Sequence, residues 1–441
     1  MTTLSGRDKT TGNLPKGWKI ETVAAIANGG LFVDGDWVES KDQDPSGEVR
    51  LTQLADVGEG EFRNRSDRWM RQDQADKVGV TYLAEGDLLI ARMPDPLGRC
   101  CQVPNLDSRA VTVVDVAILR IDPQVAVNKY IMWALNSPAI RLAMEQLSSG
   151  TTRTRISRKN LGSVEIPLPS LREQEKIVEN LEEQLSRLDA ALSSVRAVRE
   201  KSARFRRSLL HAAFTGALSG QDASTGTLPV GWRRGTIEQV ADVVAGRTPT
   251  KFEQRLESSA AENRNVPFYK VGDMNSAAQF LKEARVYFAE SEANTFGLEI
   301  LPSGTVIFPK AGGAIATNKK RVLEVPGAID LNCMGVSANG ALLPKLLFWF
   351  FESFNLSSIA DGSVLPQIGK KKVASIEICY PESEFEQLKL LEDIESSVSR
   401  SDAVDRMSEA IEKKASALRR SLLHAAFSGN LTKEWRVGAH V

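Results

Sequence analysis

The chain is poor in the residues from which metal and redox sites are made. Its 441 residues hold three histidines and four cysteines, and Cys100, Cys101, Cys333 and Cys379 show no C-x-x-C spacing. That composition argues against a zinc cluster or a disulfide framework and fits a reducing compartment. His211 and His424 lack any partner cysteine or paired histidine, which leaves packing or a protein contact as their use. No G-x-x-x-x-G-K-[ST] phosphate loop occurs, and Ala311-Gly312-Gly313-Ala314 has the spacing of a tight loop only. The aromatic N-P-P-x tetrapeptide of amino-methyltransferases is missing too. Asp36-Trp37-Val38-Glu39-Ser40-Lys41 superficially resembles a nuclease Asp…Glu-x-Lys, but the acids stand too close together for the usual strand arrangement. Met1 to Lys19 is polar, unlike a signal peptide, and the apolar run Leu346–Phe351 is far too short to span a bilayer. A soluble, intracellular, non-catalytic chain without a metal site is the expectation.

Charge of either sign is not in excess. Lys plus Arg number 56 and Asp plus Glu number 56. This excludes a chain coated in positive charge, though a local basic stripe can coexist with acidic helices.

What the chain does have is a duplication. Arg206-Arg207-Ser208-Leu209-Leu210-His211-Ala212-Ala213-Phe214 returns 213 positions later as Arg419-Arg420-Ser421-Leu422-Leu423-His424-Ala425-Ala426-Phe427. Thr215-Gly216 is matched by Ser428-Gly429, and Leu14-Pro15-Lys16-Gly17-Trp18 by Leu228-Pro229-Val230-Gly231-Trp232. A period near half the chain indicates two copies of one plan, not a solenoid.

Between these landmarks the halves share a grammar but little identity. Val49–Val57 and Val266–Met274 each read as an extended segment reaching an aspartate, Asp56 or Asp273. Gly86 to Arg92 and Gly304 to Lys310 each read as a turn, a buried strand and a basic residue at the strand end. Lys129–Asn136 and Pro344–Glu352 have helical apolar faces. Each half then closes with a basic loop, Gly150–Lys159 or Gly362–Lys372, and a short strand.

After each half the apolar period lengthens to about 3.5. Leu181, Leu185, Leu188, Leu192, Val195, Val198, Ser202, Phe205 and Leu209 form one heptad-like seam. Leu391, Ile394, Val398, Ser401, Val404, Ser408, Ile411, Ala415, Leu418 and Leu422 form another. Gly216 and Gly429 are placed to stop the helices. The polar middle, with Ser202, Ser401, Asp405 and Ser408, is compatible with a register-fixing polar layer or with a frayed centre. The expected fold is α/β (α+β), with two mixed units separated by two long antiparallel coiled-coil helices in a pseudo-twofold circular arrangement. The expected boundaries are 1–169, 170–218, 219–382 and 383–441. Leu181 to Leu209 covers about 42 Å at 1.5 Å per residue, which suits a split DNA site about one turn of 34–36 Å apart or slightly more.

Thr152-Arg153-Thr154-Arg155-Ile156 followed by Ile166-Pro167-Leu168-Pro169-Ser170-Leu171-Arg172-Glu173-Gln174 resembles the specificity (S) subunit of Type I restriction-modification enzymes. So do the two Leu-Pro-x-Gly-Trp openings, Gly86–Ile90, Gly246-Arg247-Thr248-Pro249 and the terminal Ser-Leu-Leu-x-Ala-Ala-Phe-x-Gly-x-Leu. The resemblance spans essentially the whole chain. The second closing segment, Ile378-Cys379-Tyr380-Pro381-Glu382, departs from the Pro-Leu-Pro pattern. The resemblance implies two target recognition domains, each reading one half of a bipartite site in double-stranded DNA, with the helices as a ruler. It further implies two docked methyltransferase subunits and two restriction-translocase subunits in the cytoplasm. Those partners would carry S-adenosylmethionine, ATP and Mg2+, and this chain no cofactor. A scaffold that assembles partners without reading DNA is the alternative, and a stand-alone nuclease a third reading.

Arginine favours guanine, and asparagine or glutamine favours adenine, whereas other basic residues mostly hold phosphates. The phosphate candidates are Arg153, Arg155, Arg158 and Lys159 in the first half, and Lys319, Lys320, Arg321, Lys370, Lys371 and Lys372 in the second. The base-edge candidates are Arg92, Arg247, Lys310 and Gln367. At the duplicated helix ends, Arg206, Arg207, Phe214, Arg419, Arg420 and Phe427 are the candidate partner interface, with both phenylalanines expected at the helix junctions.

Overall fold

The computed structural model describes residues 14–27, 29–150, 154–219, 228–259, 261 and 263–438. Its contacts divide the chain into two compact units, residues up to 195 joined by those from 410 onward, and residues 196–409. Each unit therefore takes in half of each long helix.

The first unit has a four-stranded antiparallel sheet in the order Leu31–Asp34, Val116–Arg120, Leu88–Ala91, Cys100–Gln102. The second repeats it as Ala241–Ala245, Cys333–Ala338, Val306–Pro309, Arg321–Leu323, and adds Phe280–Leu281 in parallel at the edge. A three-stranded sheet accompanies each. Trp69–Met70, Val49–Thr52 and Ala110–Thr112 form one, and Val286–Phe288, Val266–Tyr269 and Ala328–Ile329 the other. In both, the central strand runs antiparallel to its first neighbour and parallel to its second. A two-stranded ribbon, Lys19–Thr22 with Glu165–Leu168 or Trp232–Thr236 with Glu377–Pro381, completes each copy. Duplication is thus stronger in topology than in sequence.

Leu88–Ala91 and Val306–Pro309 are buried along their whole length, which is why they read as continuous apolar runs and not as alternating ones. Helices Asn128–Leu135 and Pro344–Glu352 bury six residues each in their unit's core. Asp56 and Asp273 fill equivalent places. Each is buried and caps a turn, Asp56 by accepting from the Gln53 N–H at 2.7 Å and Asp273 from the Lys270 N–H at 2.8 Å.

The long helices run Leu171–Ala213 and Glu384–Phe427, and Gly216 and Gly429 follow them with the same φ of 78°. That left-handed conformation ends a helix at no steric cost only for glycine. Gly429 is further constrained, because a Cβ there would collide with the Pro15 ring.

Within the second unit the helices pair as Arg199 with Asp405 (3.7 Å) and Glu409 (3.4 Å), and Arg206 with Asp402 (2.6 Å). Within the first, Arg419 meets Asp189 at 3.0 Å and Thr432 donates to Glu173 at 2.8 Å. Rising numbers on one helix meet falling numbers on the other, so the pairing is antiparallel in both units. The middle of the stripe is a formed polar layer and not a frayed one, since the Ser202 and Ser401 hydroxyls lie 2.8 Å apart. Val198, Phe205, Ile411 and Leu418 depart from the expected seam and are exposed. A straight helix repeats every 3.6 residues, so a 3.5-residue pattern drifts off the contact line. Among the described residues, no helix is long and apolar enough to cross a membrane.

Candidate nucleic-acid interface

In each unit three strands of the larger sheet end at one edge, and the backbone there is held in the same way twice. In the second unit the Gly246 N–H donates to the Cys333 carbonyl (3.0 Å), Arg247 to Ile329 (3.1 Å), Lys310 to Asn332 (2.8 Å) and Ile368 to Lys310 (2.8 Å). In the first, Gly35 donates to Val116 (2.8 Å), Asp36 to Thr112 (2.8 Å), Arg92 to Asp115 (2.9 Å) and Ile156 to Arg92 (3.1 Å). Glycine is required at both crossings, since a Cβ on Gly246 would run into the Asp330 carbonyl and one on Gly35 into the Val113 carbonyl. Asp36 therefore stands where Arg247 stands, Arg92 where Lys310 does, Asp115 where Asn332 does, and Arg155 where Gln367 does.

Two of the matched positions exchange an acid for a different group, Asp36 for Arg247 and Asp115 for Asn332. In the second unit Arg247, Gln367, Lys370, Lys371 and Lys372 are exposed and Lys310 is half-buried. Lys370–Lys372 open the short helix Lys370–Ala374, and none of these cations forms an ion pair among the described residues. Asp330, the nearby acid, is buried and accepts from the Asn332 backbone and side chain.

In the first unit the cations are largely spent. Arg92 is 5% exposed, donates to the carbonyls of Ile156 (3.0 Å) and Val114 (3.3 Å), and pairs with Asp34 at 2.5 Å. Burial draws its pKa down, although Asp34 opposes this. Arg155 is half-buried and paired with Asp115 at 3.4 Å. Arg158 and Lys159 remain exposed on helix Arg158–Gly162. A cleft of about 350 Å3 opens at Asp115, lined also by Asp36, Trp37, Gln53, Leu54 and Ala55 among others. Trp37 is 68% exposed at its rim. Burial raises the pKa of Asp36, and the Thr81 N–H (2.9 Å) pulls it back down.

Several sequence expectations are corrected. Arg92 is a buried strut, not a base-edge reader. Lys320 is 1% exposed and donates to Asn318 Oδ1 and the Phe354 carbonyl, both at 2.9 Å, so it faces no phosphate. Arg321 is half-buried and spends its guanidinium on the carbonyls of Met274 and Lys320. Lys319 donates to Asn275. Phe214 and Phe427 pack into their own units' cores. Phe214 meets Phe350 and Phe427 meets Tyr130, each edge to face with centroids 5.3 Å apart. Arg206 and Arg419 are bound in the helix-to-helix ion pairs described above, and Arg206 also lies over Trp349. Arg207 and Arg420 are exposed. Arg153 lies outside the described residues.

Sequence reasoning missed the groups that shape the edge. Buried Arg99 donates to the carbonyls of Val57 (2.7 Å), Leu54 (2.8 Å), Pro96 (3.1 Å) and Pro94 (3.2 Å), and so holds the turn that lines the cleft. Lys319 takes the topologically corresponding place in the second unit, by the register that pairs Leu88 with Gln102 and Val306 with Val322. Trp37 lies inside the hexapeptide that superficially resembles a nuclease motif, and the signal that places it at the edge is Gly35, the counterpart of Gly246. No group of three or more metal-ligating side chains occurs among the described residues.

A family model described as the Type I restriction modification DNA specificity domain matches residues 78–193 and 229–399, one stretch in each copy of the plan. The chain belongs to that family. The Type I restriction enzyme EcoBI specificity subunit of Escherichia coli is 22% identical over 439 residues, 95% of this chain and 86% of that protein. The StySPI specificity subunit of Salmonella potsdam is 21% identical over 317 residues, 70% of this chain but only 66% of its own length. Among solved structures, a chain from work on complex assembly and conformational transition of the type I R-M system has a TM-score of 0.75 at 16% identity, covering 95% of this chain and all of that one. The HsdS subunit from Thermoanaerobacter tengcongensis has a TM-score of 0.57 at 16% identity, covering 96% and 99%. The structural likenesses show a shared fold, and the family model places the chain in a DNA-specificity family.

Proposed function

We propose that the chain is the sequence-reading subunit of a Type I restriction-modification complex, and that each unit reads one half of a bipartite duplex target. The observation that carries this is the matched sheet edge. Two topologically equivalent faces differ in charge and hydrogen-bonding character at the same backbone positions, Asp36 against Arg247 and Asp115 against Asn332. One scaffold with two different sets of side chains is what two unlike half-sites require.

The long helices set the separation of the half-sites and dock two methyltransferase subunits. Those subunits bring S-adenosylmethionine and methylate adenine, and two restriction subunits bring ATP and Mg2+ for translocation and cleavage. The complex acts in the cytoplasm, and this chain supplies recognition without chemistry. Arg158, Lys159, Lys370, Lys371 and Lys372 hold phosphates, while Arg247, Lys310 and Gln367 face base edges. Arg207 and Arg420 offer the partner charged, exposed helix ends.

Methylome sequencing of a host expressing the whole system tests this. A two-part methylated consensus with a fixed spacer is expected. No consensus, with the partners still assembled on the chain, would leave only the scaffold reading.

A further inference from the structure

The loop Asp361–Gln367 closes the edge of the second unit with its polar atoms bonded to one another. The Asp361 N–H donates to the Gln367 carbonyl (2.9 Å), and the Asp361 carboxylate accepts from the Gln367 N–H (2.8 Å) and the Ser363 hydroxyl (2.7 Å). The Ser363 oxygen also lies 2.8 Å from the Leu365 carbonyl. Bridging of Ala311 with Gln367, and donation by the Gly312 N–H to Pro366 (2.8 Å), tie the loop to the strand end that carries Lys310.

The tip of this framework is apolar. Val364 is 100% exposed and Leu365 73%. Asp361 and Ser363 are exposed as well, but their polar atoms are engaged within the loop, so the two apolar side chains are the groups it leaves without a partner. The loop is bracketed by Lys310, whose carbonyl accepts from the Ile368 N–H, and by Lys370–Lys372, while its one acid, Asp361, is engaged by Ser363 and Gln367. A polyanion that also presents isolated apolar groups matches both features. Duplex DNA does so in its major groove, where thymine alone offers a 5-methyl group.

We propose that the Val364–Leu365 tip enters the major groove and supplies the apolar contact that selects thymine at one position of the half-site read by the second unit. This rests on the DNA-reading function proposed above. Gln367 and Lys310 then flank the contact with polar groups, and Lys370–Lys372 anchor the adjoining backbone.

The test uses the chain assembled with its methyltransferase partner on its own target. Each thymine of both half-sites is replaced in turn by deoxyuridine, which removes only the methyl group. Removal of one buried methyl should weaken binding about fourfold at one position in one half-site. That sensitivity should vanish in Val364→Ser/Leu365→Ser, and sensitivities in the other half-site should be unchanged. Both residues are exposed, so the variant is expected to fold as the parent does. A bipartite target with no deoxyuridine-sensitive position, or with equal sensitivity in the variant, overturns the loop assignment and leaves the DNA-reading function intact. Absence of any bipartite target overturns both. A folded variant that no longer assembles with the methyltransferase makes the tip a protein contact and the proposal wrong.

Discussion

Replacing Phe427 with alanine separates two roles for the duplicated helix end. The ring is buried in the first unit's core and meets Tyr130 edge to face at 5.3 Å. Truncating such a phenylalanine costs about 3–5 kcal/mol, since the lost transfer energy is compounded by a cavity that neighbours only partly fill. In a unit of this size each kcal/mol lowers the melting temperature by about 2–4 °C, so a drop of about 10 °C is expected. Calorimetry measures the drop, and hydrogen exchange locates it. Protection should fall in the helix Asn128–Leu135 and persist in the strand Val306–Pro309 of the other unit. Phe214→Ala should show the converse, because Phe214 packs on Phe350. A Phe427→Ala protein with an unchanged melting point and no capacity to bind methyltransferase would refute this, and would return the ring to a partner surface.

Other consequences follow from the placement of charge. Lys370→Ala/Lys371→Ala/Lys372→Ala should weaken binding to all sequences alike and flatten the log Kd against log salt slope by about 0.9 per lost phosphate contact, with stability unchanged. An unaltered slope would remove these lysines from the DNA backbone. Arg92→Ala should instead cost stability, about 2 kcal/mol in denaturant unfolding, by stripping Asp34 and two carbonyls of their partner, while the salt slope stays as it was. Gly246→Ala should cost about 1–3 kcal/mol, since the added Cβ must displace the Asp330 carbonyl or the Arg247 strand end. Its effect on recognition should fall only in the second unit's half-site, read by methylome sequencing.

The duplication was legible from the identical nonapeptide, the helices from their 3.5-residue stripe and the closing glycines. The two Pro-x-Gly-Trp turns marked where each copy begins. All of these are local signals, carried by neighbouring residues or by periodicity along one segment. The shared plan of the units was readable only as grammar, because Val49–Val57 and Val266–Met274 agree in pattern and in one capping aspartate.

Which cations are free was not legible, and the reason is geometric. Arg92 and Lys310 both follow a buried strand and look alike as text. One is enclosed by Asp34 and two carbonyls that come from segments far along the chain, and the other borders open solvent. Lys319, Lys320 and Arg321 read as one basic cluster, yet a strand alternates its side chains, and Lys320 falls on the inward face. Likewise, the equivalence of Asp36 with Arg247 lies in strand register, which no local pattern records. The sequence by itself determined that there are two copies of one plan joined by long helices. Tertiary structure alone decided which of their charges are spent on the fold and which are left exposed, because a charge is consumed by whatever the chain brings beside it from elsewhere.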